Sequence, residues 1–294
     1  MNEFGSYLSK KGNRLVVMYK GKVQKEFSLD TIDVLMLGRG VSLSTDLLTD
    51  MCESGITIFF DFNNKYFMAN SSFLSLPETR IKQATMPEEK KFLLAKGIIS
   101  AKVHNQKAVL SAFEKETTNI EEPSLTDFKS VLTFEAQSAK FYWKSLRSIL
   151  SDYSFYSREP RNGDIVNTCF DYGYGILRNC VFKAVLNASL DPYIGVIHET
   201  RNYKPTFVFD VMEIFRPVID IAVVSILLEK TWESFNEVRY PMVNKIMSVL
   251  YSEFKFKNQN SQLLRIMSLQ CYSIGDYIAH DGELDFFRVV EWKK

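Results

Sequence analysis

A histidine and three carboxylates lie close together in the sequence between residues 193 and 224. His198 precedes a short polar stretch, and the segment after it carries Asp210, Glu213 and Asp220. Side chains three or four residues apart lie on the same side of a helix, so this spacing predicts a helical face of carboxylates. Imidazole nitrogen and carboxylate oxygen are ligands suited to a hard divalent ion such as Mg²⁺ or Mn²⁺. A divalent-metal site is therefore one interpretation of this segment.

The same segment also fits an ordinary surface helix. Its apolar positions recur at helical spacing on the side away from the carboxylates, at Val208, Met212, Phe215, Ile219, Ala222 and Ile226. In this second interpretation the carboxylates face solvent and His198 is structural. Pro217 favours a functional role instead, because a proline inside a helix costs roughly 3 kcal/mol and frees the carbonyl group of Glu213.

A further carboxylate, Glu135, lies in another predicted helix, between Leu132 and Ala139 of its apolar stripe. A carboxylate on a buried face costs several kcal/mol unless it is paired or binds a metal. Glu135 is therefore either a further metal ligand or the partner of an arginine on another helix, for instance Arg178. The residues alone leave both possibilities open.

The composition is that of an ordinary globular protein without a marked electrostatic bias. The 294 residues are 46% hydrophobic and 24% charged, with a formal net charge of +1. This balance neither requires nor excludes nucleic acid as a partner. The four cysteines, at positions 52, 169, 180 and 271, form no CxxC pair, which favours free thiols in a reducing compartment over a zinc site.

No segment of the sequence predicts a membrane span. The most apolar run, 218–228, has about half of the ~20 residues that a spanning helix requires, and it contains Asp220. The first residues, MNEFGSYLSKKGN, lack the apolar core of a signal peptide. We therefore expect a cytoplasmic protein that has no membrane partner.

Residues 1–76 predict a β-rich, sandwich-like domain. Two strand-forming runs, 14–19 and 22–28, flank Lys20-Gly21, a pair typical of a hairpin turn. No cluster of chemically reactive side chains is apparent in this domain. We therefore predict that it is structural and forms a dimer interface.

After residue 87 the period of the apolar residues changes to that of a helix. Residues 77–87, which begin and end with proline, predict a linker, and residues 88–294 predict an α-helical catalytic domain. Six helices are expected, at 88–116, 124–150, 164–190, 207–230, 241–254 and 261–280. The predicted fold class is α+β, with a β-sandwich-like domain followed by a larger all-helical domain.

Local signals mark the beginning and the packing of two of these helices. Ser124 and Asp127 resemble a capping box at the start of one helix, and Asp164 is the expected N-cap of the next. Gly173 and Gly175 lie inside that second helix, where each costs about 1 kcal/mol relative to alanine. Such glycines usually permit the close approach of a neighbouring helix.

Basic residues are concentrated in the same third of the chain as His198. They are Arg158, Arg161, Arg178, Arg201, Lys204 and Arg216. Basic side chains around a metal site are what a phosphate-backbone substrate requires, so Arg158, Arg161, Arg178, Arg201 and Lys204 are candidate DNA-backbone contacts. The alternative is that they are ordinary solvated charges, since the sequence does not show which face they share.

Several short segments, taken in their order and spacing, resemble a known family. They are Val41-Ser42-Leu43-Ser44, Gly55-Ile56-Thr57-Ile58, Arg80-Ile81-Lys82-Gln83, 95–106 (AKGIISAKVHNQ), 134–143 (FEAQSAKFYW), Asn167 with Asp171-Tyr172-Gly173-Tyr174, Ser189-Leu190-Asp191-Pro192, 195–198 and 209–217 (FDVMEIFRP). Together they span most of the sequence and resemble the CRISPR-associated integrase family Cas-one (Cas1), the endonuclease of the spacer-acquisition machinery.

The resemblance implies a metal site made of three residues. Glu135, His198 and Glu213 stand at the positions where the family holds its divalent ion, Mg²⁺ or Mn²⁺, and Asp210 stands where a nearby acid assists. The resemblance leaves open whether His198 is only a ligand or also a general base or acid. One departure is Ala136, since the family usually has glycine directly after the glutamate at position 135.

The resemblance also implies a reaction and a set of partners. The expected protein is a metal-dependent DNA endonuclease and integrase, in which a DNA 3′-hydroxyl attacks a phosphodiester at the repeat boundary of a CRISPR array. The same site is expected to run the reverse reaction on branched DNA. The expected partners are double-stranded and branched DNA, a second copy of the chain, and the small CRISPR-associated protein Cas-two (Cas2) in a hetero-hexameric complex.

Three other functions are compatible with the residues. A structure-selective, metal-dependent DNA repair nuclease would use the same ligands but would not join ends. An inactive DNA-binding scaffold would need no catalytic residues, which intact Glu135, His198 and Glu213 argue against. In a purely structural helical protein, Glu135 would be salt-bridged and the acidic helical face would be solvated.

Overall fold

A computed structural model of the chain consists of two units. It describes residues 4–32, 34–62, 65–69, 77–115, 117, 123–201, 204–290 and 292, with residues 61, 62 and 65–69 described by their backbone. The first unit comprises Met1–Pro77 with Arg201–Lys204, and the second comprises Glu78–Thr200 with Pro205–Lys294. The predicted α+β class is confirmed, because a small β-rich region precedes a larger helical one.

In the described residues of the first unit there are two β-sheets, one short α-helix and a 3₁₀ turn at Leu29–Thr31. Its strands are β1 (Ser6–Lys11), β2 (Arg14–Tyr19), β3 (Lys22–Ser28), β4 (Val34–Leu37), β5 (Ser42–Leu43), β6 (Thr57–Phe62) and β7 (Lys65–Ala69), and its helix is α1 (Thr45–Glu53). One sheet has the order β3-β2-β1-β5 and the other has the order β4-β6-β7. The predicted hairpin between β2 and β3 is present, with positive φ angles of 49° at Lys20 and 74° at Gly21, as a tight two-residue turn requires.

One hydrophobic core joins both sheets to α1. Its buried members are Leu8, Leu15, Val17, Leu29, Leu37, Leu47, Met51, Ile56 and Ile58. They come from alternate positions of the strands and from one side of the helix, as a half-buried sheet and an amphipathic helix require. The helix begins at Ser44, whose Oγ accepts a hydrogen bond from the backbone N–H of Leu47 at 3.4 Å.

Where the structure describes the second unit, its regular elements are helices and one β-hairpin. Its helices are α2 (Pro77–Ala84), α3 (Glu88–Ala112), α4 (Phe128–Ile149), α5 (Ile165–Asn187), α6 (Thr206–Glu229), α7 (Phe235–Leu250) and α8 (Leu263–His280). The strands β8 (Glu253–Phe256) and β9 (Gln259–Gln262) form the hairpin. The predicted helical domain is confirmed, but residues 253–262, whose ends were assigned to the helices at 241–254 and 261–280, form this hairpin, because Lys257 and Asn258 take the positive φ angles of a two-residue turn.

The segment predicted as a linker, 77–87, begins at the boundary between the two units, and α2 occupies most of it. The proline at its start is compatible with a helix, since the first helical position needs no N–H donor. Gln83 is 1% exposed, and its Nε2 donates to the carbonyl oxygens of Asp191 and Ile194, both at 3.0 Å. These contacts fix α2 to the loop that leads to His198.

Two predicted helix starts can be compared with the structure. The N-cap of α5 is Asp164, as predicted, and its side chain accepts from the N–H of Asn167 at 2.8 Å. The capping box of α4 is formed by Asp127 and Ser130, not by Ser124 and Asp127. The helix thus begins one turn later than predicted, where the Asp127 carboxylate can accept from the N–H three residues on.

The helix α6 lies at the centre of the second unit and packs against α3, α5 and α7. Both of its sides are buried, and Asp210, Glu213 and Asp220 are exposed by 0%, 4% and 1%. The alternative interpretation, an ordinary surface helix with a solvated face of carboxylates, is therefore wrong. The helix is surrounded by other helices, and its carboxylates find partners inside the protein, as buried charges must.

The buried side of α4 also differs from the predicted stripe. The residues that face the core are Val131, Phe134, Ser138, Tyr142 and Leu146, whereas Leu132 is 45% exposed. Glu135 follows Phe134 and lies at the edge of this buried stripe. Its side chain is 29% exposed, so Glu135 can reach both the interior and solvent.

Residues 283–290, which we call the C-terminal strap, run without regular secondary structure over the helical unit. Phe287 of the strap is fully buried and stacks on Phe215 of α6 with ring centroids 5.6 Å apart. Asn105 donates to the carbonyl oxygen of Phe287 at 3.2 Å and accepts from the N–H of Val289 at 2.8 Å. The strap is thus bound by both packing and hydrogen bonds.

Membrane-spanning helices were sought in the described ranges, and none of their helices is both long enough and apolar enough to qualify.

Candidate metal centre

The carboxylates of Glu135 and Glu213 meet at one lysine. Lys102 Nζ, from α3, lies 2.5 Å from Glu135 Oε1 of α4 and 2.7 Å from Glu213 Oε2 of α6. The side chains of Lys102 and Glu213 are only 9% and 5% exposed. Three helices therefore bring two predicted metal ligands together around a single buried positive charge.

A second cation, Arg216, balances the charge of this cluster. Its Nη1 lies 3.0 Å from Glu213 Oε1, and its guanidinium lies 5.1 Å from the centre of the Tyr174 ring. Burial alone would raise the pKa of Glu213, but Arg216 and Lys102 outweigh it and lower that pKa to about 2. Glu213 is thus ionised throughout the physiological pH range.

The same balance holds Lys102 in its charged form. Burial opposes the charge on the ammonium, but Glu213 and Glu135 outweigh burial and raise the pKa of Lys102 above its ordinary value.

Although the charges of the cluster are balanced, two of its buried atoms lack a hydrogen-bond partner. Glu213 Oε2 and Arg216 Nε are buried atoms without a hydrogen-bond partner, so the 2.7 Å contact to Lys102 is an ion pair whose geometry does not complete a hydrogen bond.

His198 is held beside this cluster by Asp210. Its Nδ1 lies 2.6 Å from Asp210 Oδ1, and Asp210 also accepts from the backbone N–H groups of Val196, Ile197 and His198 at 2.6, 3.1 and 3.0 Å. The hydrogen bond to Asp210 raises the pKa of His198 above its ordinary value, and the charge of Glu213 adds to this effect. Nδ1 is thus occupied, which leaves Nε2 as the nitrogen that can bind an ion.

Asp210 therefore acts differently from a metal ligand. It is fully buried, and its oxygens accept three backbone N–H groups and the His198 ring. This places Asp210 in a positioning role, in which it fixes both the loop before α6 and the orientation of the imidazole.

The donor chemistry of Glu135, Glu213 and His198 fits a hard divalent ion, since it offers carboxylate oxygens and one imidazole nitrogen. The buried Glu213 oxygen that accepts no hydrogen bond is a further sign of fit. Among the described residues, however, no three His, Cys, Asp or Glu side chains are gathered closely enough to hold a metal ion. Lys102 lies between the two glutamates, and the three-residue metal site stays a prediction.

The third carboxylate of α6, Asp220, is held by two tyrosines. Tyr142 OH donates to Asp220 Oδ2 at 2.8 Å, and Tyr174 OH donates to Asp220 Oδ1 at 2.5 Å. Burial raises the pKa of Asp220 to about 6, against the two tyrosine hydrogen bonds, which lower it. Asp220 thus ties α4 and α5 to α6 and does not join Glu213.

The predicted DNA-contact residues are divided between the two units. Arg158 Nη1 donates to Asn167 Oδ1 at 2.9 Å, and the Arg158 guanidinium forms an ion pair with Asp171, which ties the turn before α5 to that helix. Exposed Arg161 and half-buried Arg178 lie in the same unit. Exposed Arg201 and Lys204 pair through their backbones and group with the first unit. DNA contact by these five residues stays a prediction.

Lys102 and Arg216 are the residues whose role at this site the sequence did not reveal. Glu135 was expected to pair with an arginine such as Arg178 if it did not bind metal, and the structure instead pairs it with Lys102. One signal was available, because Lys102 lies within the predicted helix at 88–116 beside the apolar residues Ala101 and Val103, all of them buried. A lysine among buried apolar residues needs a carboxylate partner.

The sequence matches a family described as CRISPR associated protein Cas1 over residues 1–243. A relative from Francisella tularensis subsp. novicida, CRISPR-associated endonuclease Cas1 1, is 28% identical over 302 residues, which cover 95% of this chain and 95% of the relative. Another, CRISPR-associated endonuclease Cas1 2 of Saccharolobus solfataricus, is 30% identical over 77% of this chain and 74% of its own length. The chain therefore belongs to the Cas1 family, as the sequence motifs predicted.

Solved structures show the same fold. A casposase bound to integration product has a TM-score of 0.83 at 20% identity, covering 100% of this chain and 95% of that one. A Cas1 protein from Thermotoga maritima has a TM-score of 0.79 at 18% identity, covering 95% of each chain. A Cas6-RT-Cas1–Cas2 complex matches with a TM-score of 0.76 at 16% identity, covering 99% of this chain and 36% of that one. At these sequence identities the similarity shows a shared fold only.

Proposed function

We propose that this protein is a metal-dependent DNA endonuclease and integrase that inserts foreign DNA fragments into a CRISPR array as new spacers. The observation that carries the proposal is the meeting of Glu135 and Glu213, from two different helices, around one buried positive charge. Membership of the Cas1 family supports it, because relatives are named CRISPR-associated endonucleases. The fold likeness to a casposase bound to integration product supports the joining reaction in particular.

Glu135, Glu213 and Nε2 of His198 are the groups that would hold Mg²⁺ or Mn²⁺. When bound, the ion would polarise the scissile phosphate and stabilise the charge that gathers on its oxygens. Glu213 is ready for this task at neutral pH, because Arg216 and Lys102 hold its pKa at about 2. Asp210 keeps the His198 ring oriented through Nδ1, so that its other nitrogen can serve as the ligand.

The reaction that we propose is a transesterification. The 3′-hydroxyl oxygen of the incoming DNA bonds to the phosphorus at the repeat boundary, and the bond from that phosphorus to the repeat strand's own 3′ oxygen breaks. The attacking hydroxyl loses its proton and the departing oxygen gains one. The number of phosphodiester bonds is unchanged, so the same site can run the reaction backwards on branched DNA.

The proposed partners follow from the relatives and from the substrate. Solved neighbours include a Cas6-RT-Cas1–Cas2 complex and a Cas1 from a Cas1–DNA complex, which supports DNA and Cas2 as partners here. We also propose a homodimer, two of which flank a Cas2 dimer in a hetero-hexamer. Exposed Arg161 of the helical unit and exposed Arg201 and Lys204 of the first unit are the proposed contacts to the DNA backbone.

The test is an integration assay with a cognate Cas2 protein, a labelled double-stranded fragment and a plasmid that carries a CRISPR repeat. The wild-type protein is expected to join the label to the plasmid in Mn²⁺ or Mg²⁺, and the Glu135→Gln protein is expected to lose at least about 100-fold of this activity. Cutting of branched DNA without any joining would contradict the integrase function and favour a repair nuclease. Equal joining by the wild-type and Glu135→Gln proteins would contradict the assigned site.

A further inference from the structure

Lys102 occupies an unusual position for a lysine. Its side chain is 9% exposed, and its ammonium lies within 2.7 Å of an oxygen of both Glu135 and Glu213. A buried ammonium is costly unless it is paired, and here its two partners are the residues that we assign to the metal. The ammonium therefore stands between the groups that a divalent ion would have to bridge.

The two cations of the cluster are held in different ways. Arg216 is on the same helix as Glu213 and is fixed by Glu213 Oε1 and by the face of Tyr174. Lys102 reaches the site from α3 on a flexible four-carbon stem. Its contact to Glu213 Oε2 is an ion pair without a completed hydrogen bond. Lys102 is thus the cation that can leave without moving a helix.

The charge balance of the cluster explains why the Lys102 ammonium must leave when a divalent ion binds. In the structure, two carboxylates are matched by the charges of Lys102 and Arg216. A divalent ion added beside both cations would meet strong repulsion from an ammonium only a few ångströms away. Replacement of one ammonium by a divalent ion leaves a local excess of positive charge, which favours binding of an anionic phosphate.

We propose that Lys102 is an internal cation that holds Glu135 and Glu213 together in the metal-free protein, and that a divalent ion binds by displacing its ammonium. The inference rests on the proposed function, because it takes Glu135 and Glu213 as metal ligands. It adds a residue that competes with the ion and thereby sets how tightly the free protein binds metal. The displaced ammonium stays near the site, where it can pair with a phosphate oxygen.

Two consequences follow for a Lys102→Met protein, in which a side chain of similar length carries no charge. Without metal, Glu135 and Glu213 are left beside each other with one cation fewer, so the thermal unfolding midpoint falls relative to wild type. With Mn²⁺, the ion meets no competing ammonium, so the Mn²⁺ affinity rises at least about tenfold. Mn²⁺ must then raise the unfolding midpoint of the variant more than that of the wild type.

The experiment measures Mn²⁺ binding to the full-length protein without DNA, by isothermal titration calorimetry and by the electron paramagnetic resonance signal of free Mn²⁺. Thermal unfolding is followed in chelator and in Mn²⁺. Lys102→Arg retains the charge and is expected to bind Mn²⁺ no more tightly than wild type. Lys107→Met removes a charge from the same helix, at a position that lines a surface cavity with His104 and Val289, and is expected to match wild type. Adding Glu213→Gln to Lys102→Met is expected to remove the gain in affinity.

Each outcome decides between the competing accounts. Tighter Mn²⁺ binding by Lys102→Met, together with its rescue from instability by Mn²⁺, supports the inference. If the wild type binds Mn²⁺ and Lys102→Met binds it equally or more weakly, the inference is overturned but the proposed metal site stands. Failure to bind Mn²⁺ by both proteins overturns the inference and the proposed metal site together. Failure of Lys102→Met to fold even in Mn²⁺, while Lys102→Arg and Lys107→Met fold, also overturns the inference, because the ion could then not replace the ammonium.

Discussion

At the scale of single residues, the site depends on side chains that position other side chains. Asp210 accepts three backbone N–H groups and pairs with Nδ1 of His198, so one buried carboxylate fixes a loop and the His198 imidazole together. The resemblance to the Cas1 family implied that Asp210 is an assisting acid. It could not predict the backbone contacts, because they depend on how the chain from Gly195 to His198 folds over the start of α6.

Replacement of Asp210 by asparagine tests this positioning role. The amide cannot accept all of these N–H donors, so buried donors lose their partner and His198 loses its orientation. We expect a loss of about 10–100-fold in both Mn²⁺ affinity and DNA joining, with a decrease of about 1–3 kcal/mol in the free energy of unfolding. Calorimetric Mn²⁺ titration and urea denaturation measure these effects, with the exposed Asp276→Asn as a control. Wild-type Mn²⁺ affinity in Asp210→Asn would refute the positioning role.

Asp220 gives a prediction about pH. Its pKa is raised from 3.8 to about 6 by burial, so the folded state resists an ionisation that the unfolded state accepts. Stability of the wild type relative to a neutral Asp220→Asn variant must therefore fall as pH rises from about 4 to about 6, and must stay constant above that range. The rise of the pKa from 3.8 to about 6 corresponds to a change of about 3 kcal/mol in the difference between the two unfolding free energies, in favour of the variant. Asparagine can still pair with Tyr142 and Tyr174.

Urea denaturation of the wild-type and Asp220→Asn proteins between pH 5 and pH 8 measures this difference. The titration of other groups, His198 included, is common to both proteins and cancels in the comparison. A difference in unfolding free energy that does not change with pH would show that Asp220 is already ionised in the folded protein. The exposed Asp152→Asn variant is the matched control and should follow wild type at every pH.

At the scale of elements, the central feature is a helix whose polar residues point inward. In the sequence of α6, Asp210, Glu213 and Asp220 looked like a solvated face, because hydropathy patterns assign carboxylates to water. In the structure the carboxylates pair with Lys102, Arg216, Tyr142, Tyr174 and backbone amides, most of them from other elements. Local periodicity predicted that the helix exists and where it begins and ends, but not that its carboxylates are buried.

The packing of α5 against α6 depends on one of two glycines. A Cβ at Gly173 would lie 2.9 Å from Ile219 Cγ2 and 3.4 Å from Val223 Cγ2, both on α6, whereas a Cβ at Gly175 would meet nothing within 4 Å. The sequence predicted close approach at both positions, and the structure shows it at Gly173 alone. Gly175→Ala should therefore stabilise the protein by about 0.5–1 kcal/mol through helix propensity.

Gly173→Ala gains the same propensity but must push side chains of α6 aside, at a cost of about 1–3 kcal/mol. We expect Gly173→Ala to be less stable than Gly175→Ala by that amount, measured by urea denaturation of both variants. Because Ile219 and Val223 lie about two and three turns beyond Glu213 on the same helix, Gly173→Ala should also weaken Mn²⁺ binding while Gly175→Ala should not. Equal stability of the two variants would mean that α5 and α6 are not in close contact at Gly173.

The C-terminal strap gives a second prediction at this scale. Phe287 is fully buried against Phe215 of α6, whereas Val290 is 79% exposed. Phe287→Ala should lower the free energy of unfolding by about 3–5 kcal/mol, and Val290→Ala should change it by less than about 0.5 kcal/mol. Denaturation curves of the two variants test whether the strap is part of the folded core. A small effect of Phe287→Ala would contradict this.

At the scale of the whole molecule, the sequence predicted the order of a β-rich unit and a helical unit, and its motifs predicted the Cas1 family. It predicted residues 77–87 as a linker, and the boundary between the two units falls at Pro77, where α2 begins. It missed the β8–β9 hairpin, whose strands have only four residues each. The pairing of Lys102 with Glu135 and Glu213 joins residues 33 and more positions apart, which local sequence patterns do not encode. The elements were thus predictable, whereas the contacts that assemble the site were not.

The central claim is that this assembly catalyses metal-dependent transesterification at Glu135, His198 and Glu213. The most direct measurement is the resealing of a branched DNA that mimics a half-integrated spacer, with Mn²⁺ or with chelator, in the presence of Cas2. The wild type and a His280→Ala control, altered at an exposed histidine, are predicted to restore the parent strand in Mn²⁺ only, and His198→Ala is predicted to restore none. Equal resealing by His198→Ala, resealing in chelator, or cutting without joining would contradict the claim.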